Sequence, residues 1–333
     1  MNRRSHRGAQ LVAALGMVTA LAACAHIPEA AAPRHWHNQP SLQPENPPSV
    51  EVPGLGKALP RSPQAAPSSV PPPQGCKDFN PAVIATCLNP VSAVVALPGS
   101  DAEPSGLAAE RGTGRVLQVS KDTDPVMIER LTVNTAGGGG LTGLALSPSY
   151  TEDQLIYAYI TTPTDNRIVR FSAHGKPQAV LTGIPRGHSD NAGAIATDPS
   201  GALLVATGDA GNTAAAANPT SLAGKVLRID GNGKPAPGDP TSGSAVIASG
   251  LHAPGGLCST TDGKTSYVTD AGTGAQRLYR IRPGAPVRDP VWEWKDNPGI
   301  AGCAVFPHLV MVAASRTGGV RSVFLNPDGS VKG

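Results

Sequence analysis

Aromatic and charged side chains are scarce in this chain of 333 residues. Phe, Trp and Tyr make up 4% of it, and charged residues make up 15%, against roughly 25% in an average soluble protein. The 27 Lys and Arg residues outnumber the 24 Asp and Glu residues by only three. Because a polyanion-binding protein needs a clear basic surplus, we expect no nucleic-acid partner.

The common short motifs of catalysis and metal binding are also missing. The sequence has no Gly-x-x-x-x-Gly-Lys-Ser/Thr, His-Glu-x-x-His, Gly-x-Ser-x-Gly or Cys-x-x-Cys segment. These absences argue against P-loop nucleotide hydrolysis, zincin-type proteolysis, an α/β-hydrolase site and a paired-cysteine zinc site. Residues 138–143 match a dinucleotide fingerprint by letters, but Pro148 follows too soon for the helix that a pyrophosphate needs.

The first 24 residues have the layout of an export signal. Three arginines within the first seven residues precede an apolar stretch at 11–23, which is too short to span a bilayer. Its end, Leu21-Ala22-Ala23-Cys24, resembles the bacterial lipobox, in which the cysteine is acylated. We therefore predict a signal peptide at 1–23, lipidation at Cys24, and an extracytoplasmic protein anchored to the cell membrane. Removal of the leader and its three arginines leaves 24 basic and 24 acidic residues.

A Pro-rich segment follows the predicted lipidation site. Residues 25–75 contain 13 of the 34 prolines and few β-branched or aromatic residues, so they bury too little apolar surface to order themselves. We predict a disordered stalk at 24–75 and a folded domain at 76–333. Four cysteines remain in that domain, and an exported protein with an even number of cysteines favours disulfides. Three connectivities are possible, and we favour Cys76–Cys87 with Cys258–Cys303.

The folded domain is repetitive. Short Val- and Ile-rich runs alternate with Gly, Pro, Asp and Asn turns, a pattern typical of an all-β fold. One strand type, which in most copies begins with a basic residue, recurs 43 to 58 residues apart at 115–119, 167–171, 225–229, 277–281 and 320–324. A second strand precedes each copy, and a Gly-led apolar run precedes most of those. This period predicts a β-propeller with five recognisable blades. The closing strand either comes from 76–97 or is missing.

Five blocks resemble the glucose/sorbosone dehydrogenase family, the soluble quinoproteins with six-bladed propellers. They lie at 140–148, 206–212, 221–230, 249–257 and 267–272. With its lipobox and stalk, the whole chain is also similar to a mycobacterial lipoprotein that carries this domain. The resemblance implies a six-bladed type of propeller whose closing blade is incomplete here. It also implies pyrroloquinoline quinone (PQQ) and calcium as cofactors.

The resemblance assigns site residues by position. The family's general base, a histidine, falls at Asp190, with His188 two residues earlier. Its quinone-binding Arg-Asn pair falls at His252-Ala253, and a cofactor-binding lysine matches Arg316. The calcium ligands are backbone carbonyls at positions matching Ala271 and Gly272, while the acids that follow in the family are Ala275-Gln276-Arg277 here.

Two functions follow from these assignments. The first is a PQQ-dependent oxidoreductase that acts on an aldose or similar alcohol. It would use His188 or Asp190 as base, and His252 and Arg316 as cofactor contacts. The second is a catalytically degenerate propeller that binds a cell-envelope glycan or a protein at the cell surface, because the base, the quinone clamp and the metal acids are all altered. In either case we expect a monomer.

Overall fold

The computed structural model describes residues 70–99, 102–272 and 274–332. The predicted signal peptide, Cys24 and residues 24–69 of the predicted stalk lie outside these residues. Within the described ranges, no helix is long and apolar enough to cross a membrane.

The described residues form three short helices, a 3-10 turn at Ala136–Gly138, α1 Tyr150–Asp153 and α2 Thr213–Ala217. The strands are β1 Val91–Ala96, β2 Ser105–Glu110, β3 Arg115–Ser120, β4 Val126–Arg130, β5 Leu141–Leu146, β6 Ile156–Thr161, β7 Asn166–Phe171, β8 Gln178–Ile184, β9 Gly193–Thr197, β10 Leu203–Thr207, β11 Lys225–Ile229, β12 Val246–Ser249, β13 Pro254–Ser259, β14 Ser266–Asp270, β15 Gln276–Ile281, β16 Ala285–Pro286, β17 Trp292–Trp294, β18 Ile300–Phe306, β19 Leu309–Ala314 and β20 Gly319–Phe324.

The strands form five sheets in chain order, the arrangement of a β-propeller. Blade 1 is β1–β4, blade 2 is β5–β8, blade 3 is β9–β12, blade 4 is β13, β14, β15 and β17, and blade 5 is β18–β20. Within each blade, consecutive strands pair antiparallel, and β16 joins blade 3 by pairing parallel to β12. First strands of consecutive blades lie side by side, and β18 also approaches β1. The five predicted blades are confirmed, whereas a six-bladed count is not.

Four hydrophobic cores lie between consecutive blades, one at each seam. Side chains of blades 1 and 2 share the first core, blades 2 and 3 the second, blades 3 and 4 the third, and blades 4 and 5 the fourth. A strand in the middle of a blade is therefore buried along almost its whole length, as β6 and β10 are. Each blade buries its two faces against different neighbours, and so the repeats stabilise one another.

Within the described residues, blades 1 and 5 do not close the ring by exchanging a strand. β1 is the first strand of blade 1 and pairs with β2, so the predicted closing strand at 76–97 is not supplied to blade 5. After β20 the chain turns and comes back, since Leu325 bridges to Val331 and the Lys332 N–H donates to the Phe324 carbonyl. In blades 1 and 2 the fourth strand begins at this position, after the turn that follows the third strand.

Both favoured disulfides are present. Cys258–Cys303 joins β13 to β18, the first strands of neighbouring blades. Cys76–Cys87 closes a loop before β1. Ala85 and Leu88, at the end of that loop and just after it, pack on the face of blade 1 that is turned away from blade 2.

Candidate functional site

The candidate site residues all lie at one end of the blades, which we call the loop face. In an antiparallel blade, the connection that enters the first strand and the turn between the second and third strands lie at the same end. The loop face therefore carries every residue that the sequence analysis assigns to catalysis or cofactor binding: His188, Asp190, His252, Ala271, Gly272 and Arg316.

Three loops on this face pack backbone against backbone through glycines. They are the segments 136–140, 187–191 and 208–211, which precede or follow strands of blades 2 and 3. Gly137 lies against the His188 carbonyl, Gly187 against the Ala210 carbonyl, and Gly208 against the Asp190 carbonyl, with no space for a side chain at any of the three. The Gly-rich motifs of the sequence thus build a layer of tightly stacked loops rather than a phosphate cradle.

Asn191 holds this layer together from inside. Its side chain is fully buried. The amide nitrogen donates to the carbonyls of Gly137 at 3.0 Å and Gly187 at 2.9 Å, while its oxygen accepts from the Gly187 N–H at 2.8 Å. Because a buried amide with several partners tolerates little movement, the loop that carries His188 and Asp190 is fixed in place.

The two candidate bases differ in their surroundings. The exposed imidazole of His188 lies over Gly211, where a methyl group would come within 2.7 Å of its Cε1 atom. Asp190 is half-buried, has φ of 53°, and accepts a hydrogen bond from the Ser189 hydroxyl at 2.7 Å. His188 is therefore the more accessible of the two, on a support that restricts its ring.

His252 is bound to a pair of buried carboxylates. Its Nδ1 lies 2.8 Å from Oδ2 of Asp209, and its backbone N–H donates to Asp270 at 3.1 Å. Asp209 is 2% exposed and Asp270 3%. Burial raises the pKa of Asp270, although the N–H groups of Ala253 and His252 oppose the shift. Two acids behind one imidazole leave this point without a surplus of positive charge for a quinone carboxylate.

Three other arginines on the loop face bind neutral groups or are exposed to solvent. Arg111 donates to the carbonyls of Gly138 and, at 2.9 Å, Gly139. Arg186 donates to Oδ1 of Asn134 at 3.3 Å, and its buried Nε has no protein partner within the described residues. Arg316 is exposed, in the turn between β19 and β20. No acid among the described residues pairs with these guanidinium groups, so they fit an anionic ligand such as the PQQ carboxylates. The sequence analysis found Arg316 but not Arg111 or Arg186.

The residues at the expected calcium position do not fit a calcium ion. Across the described residues, no group of three or more His, Cys, Asp or Glu side chains could hold a metal. Near Ala271 and Gly272, Gln276 has no carboxylate, and its side-chain oxygen already accepts hydrogen bonds from the N–H groups of Gly299 and Ile300. Arg277 is a cation and pairs with Glu293 at 2.8 Å. Calcium prefers several carboxylate oxygens, and we assign no step to a metal.

Three other polar residues in the turns of the loop face are structural. Asp165 accepts from the Gly183 N–H and pairs with Arg167, and Asn212 accepts from the Ala215 N–H at the start of α2. Asn166 is buried and donates to the Pro185 carbonyl at 2.7 Å. Such turn-capping contacts are the usual role of Asp and Asn in these motifs.

Comparisons with known proteins agree with the arrangement of blades and loops. The sequence profile of the Glucose / Sorbosone dehydrogenase family matches residues 96–286. The PQQ-bound aldose sugar dehydrogenase of Streptomyces coelicolor is 31% identical, with a TM-score of 0.69, over 74% of this chain and 80% of that one. A Thermus thermophilus oxidoreductase, described as a glucose dehydrogenase, is 28% identical, with a TM-score of 0.66, over 74% of this chain and 82% of that one. No curated protein matches the sequence.

Proposed function

The chain belongs to the glucose/sorbosone dehydrogenase family, and from this premise we propose that it is a PQQ-dependent oxidoreductase that oxidises an aldose or a similar alcohol on its loop face. We place it outside the cytoplasm, held at the membrane through Cys24. The observation that carries the activity is the position of His188. Its exposed imidazole sits on the stacked loops that Asn191 fixes, on the same face as uncompensated cations.

His188 is the proposed general base. Its Cε1–Nε2 edge lies over Gly211, so Nδ1 is the nitrogen that would accept the proton of the sugar hydroxyl. Imidazole suits this role because its ordinary pKa lies close to neutral pH. Asp190 is the alternative base, but its carboxylate already accepts from Ser189.

Arg111, Arg186 and Arg316 are the proposed partners of the PQQ carboxylates, because charge-assisted hydrogen bonds from guanidinium groups suit that ligand. The quinone, when bound, supplies the acceptor for the two electrons that leave the sugar. The protein's own contribution is to orient the sugar, to remove its hydroxyl proton and to balance the charge of the cofactor.

The test measures PQQ binding and aldose oxidation with the purified protein. PQQ is titrated by absorbance, and dye reduction is followed with a panel of aldoses. We expect His188→Asn to lower kcat/KM by roughly 100-fold or more, with PQQ affinity unchanged. His174→Asn is the matched control, since His174 is exposed at the opposite end of blade 2.

Each outcome of this test assigns or removes a role. Loss of rate in Asp190→Asn but not in His188→Asn would make Asp190 the base. Unchanged rates in both variants would overturn the base assignment. Absence of PQQ binding at tens of micromolar would overturn the oxidoreductase function itself.

A second function has one specific observation in its favour. Two buried carboxylates stand behind His252, where the family carries a cationic clamp, and the calcium donors are replaced. These changes favour a non-catalytic propeller that binds a cell-envelope glycan or a protein at the cell surface. Glycan-array binding by a protein that neither binds PQQ nor reduces the dye would support this function.

A further inference from the structure

The connection between β15 and β17 departs from the pattern of the other blades. In blades 1 and 2 a short turn joins the third strand to the fourth, and in blade 3 the longer loop 230–245 does so. Here the chain crosses to blade 3 and adds β16 beside β12. The crossing is fixed by two backbone bonds of 2.7 Å, from the Gly284 N–H to the Ile247 carbonyl and from the Val287 N–H to the Ser249 carbonyl. This excursion places Val287 and Arg288 next to the loop that carries His252.

A cavity of about 310 Å³ lies between this excursion, α2 and the His252 loop. Its polar lining consists of Thr213, Ser249, His252 and Arg288, and its apolar lining includes Pro286 and Val287. No carboxylate is among the lining residues. The volume is at the small end of the range for ligand sites, and gives room for a single sugar ring.

The polar groups of this cavity suit a ligand that has both hydroxyl groups and a negative charge. Arg288 is exposed and makes no ion pair with any residue that the structure describes. His252 has its Nδ1 occupied by Asp209, which fixes the ring and leaves Nε2 for a ligand. Ser249, at the end of β12, contributes a hydroxyl.

We propose that this cavity binds a small carboxylated sugar, a uronic acid. Arg288 would hold the carboxylate, since a guanidinium can make two parallel bonds to it. His252 Nε2 and the Ser249 hydroxyl would bind ring hydroxyls. The sugar part of this inference rests on the proposed function, whereas the negative charge rests on Arg288 and on the lack of acids in the lining.

Isothermal titration of the purified protein tests the inference, with D-glucuronate and D-glucose as probes. We expect glucuronate to bind more tightly than glucose. We expect Arg288→Gln to weaken glucuronate binding about tenfold or more, because a charge-assisted bond is lost, and to leave glucose binding unchanged. Arg282→Gln is the matched control, since Arg282 is exposed on the same connection but does not line the cavity. Because both arginines are exposed, both variants should fold, and their melting temperatures verify this.

The results separate this inference from the proposed function. Equal affinity for the two sugars, or glucuronate binding that Arg288→Gln leaves intact, overturns the carboxylate site even if neutral aldoses are oxidised with PQQ. Glucuronate binding that depends on Arg288, in a protein that never reduces the dye, supports the site and removes the oxidoreductase function.

Discussion

At the scale of single residues, the fold depends on a few buried charges with well-defined partners. Glu110, at the end of β2, has no exposed surface. It binds Arg115 through two bonds of 2.7 and 2.6 Å, and it also accepts from Thr113 and from the backbone and side chain of Asn89. These bonds, led by that to Arg115, lower the pKa of Glu110 from 4.5 to about 2, against the opposing effect of burial.

The low pKa of Glu110 predicts a pH-dependent contribution to stability. A carboxyl group with a lowered folded-state pKa stabilises the fold above the unfolded pKa, here near 4.5, and this contribution disappears as the pH falls towards 2. We expect Glu110→Gln to lower the free energy of unfolding at pH 6 by on the order of 3 kcal/mol, and by much less at pH 2.5. Urea unfolding at the two values measures the difference. Glu152→Gln, at an exposed position, is the control; an equal loss at both pH values would contradict the expectation.

At the scale of elements, the loop between β10 and β11 is held by a lysine. Lys225 begins β11 and is fully buried. Its ammonium group donates to the carbonyls of Ala215, Ala216 and Ala223 at 2.9, 2.8 and 2.7 Å. Burial lowers the pKa of this lysine. The bonds fix the end of α2 and the loop that begins with Asp209, and so they help to hold Asp209 in contact with His252.

Loss of the Lys225 ammonium group should destabilise this loop. We expect Lys225→Met to lower the free energy of unfolding by at least about 2 kcal/mol, because three carbonyls lose their donor in a buried site. Lys234→Met, at an exposed position, should change stability little. Chemical denaturation measures both. Equal stability of the two variants would show that the three bonds contribute nothing.

The sequence predicts the elements well because their signals are local and repeated. The third strands at 115–120, 166–171, 225–229, 276–281 and 319–324 agree with the predicted copies, since alternating turns and apolar runs recur every 43 to 58 residues. The Asp209–His252 bond joins residues 43 positions apart, and no local pattern reports which side chains meet across two blades. Lys225 resembles an exposed first residue of a strand in sequence, and β16, with only two residues, has no period to detect.

At the scale of the whole molecule, stability comes from seams between neighbours. Blades 2, 3 and 4 have a core on both sides, whereas blade 5 shares its core with blade 4 alone within the described chain. Its outward face leaves Phe306, Val320 and Phe324 between 49% and 60% exposed. In a protein built from repeats, the terminal repeat has fewest stabilising contacts. The Cys258–Cys303 bond therefore adds a covalent link to the blade that has the fewest contacts with its neighbours.

Reduction of this disulfide should lower stability measurably. We expect the double variant Cys258→Ala/Cys303→Ala to lose roughly 2–4 kcal/mol of unfolding free energy, and its melting temperature to become less sensitive to reductant than that of the parent. The double variant Cys76→Ala/Cys87→Ala is the comparison. The disulfide that it removes joins residues 11 positions apart, whereas Cys258–Cys303 joins residues 45 positions apart. Identical melting of the parent and the Cys258→Ala/Cys303→Ala variant would contradict a stabilising role.

The same bond changes what a protease can achieve. The segment that joins blade 4 to blade 5 exposes Lys295, Asp296 and Asn297, so trypsin can cut it after Lys295 without entering a blade. Without a disulfide, such a cut would leave only non-covalent contacts between the two fragments, but here Cys258 lies before the cut and Cys303 after it. A nicked molecule keeps blade 5 tethered to blade 4 until a reductant is added, and the protein thus remains one covalent unit after cleavage at this exposed junction.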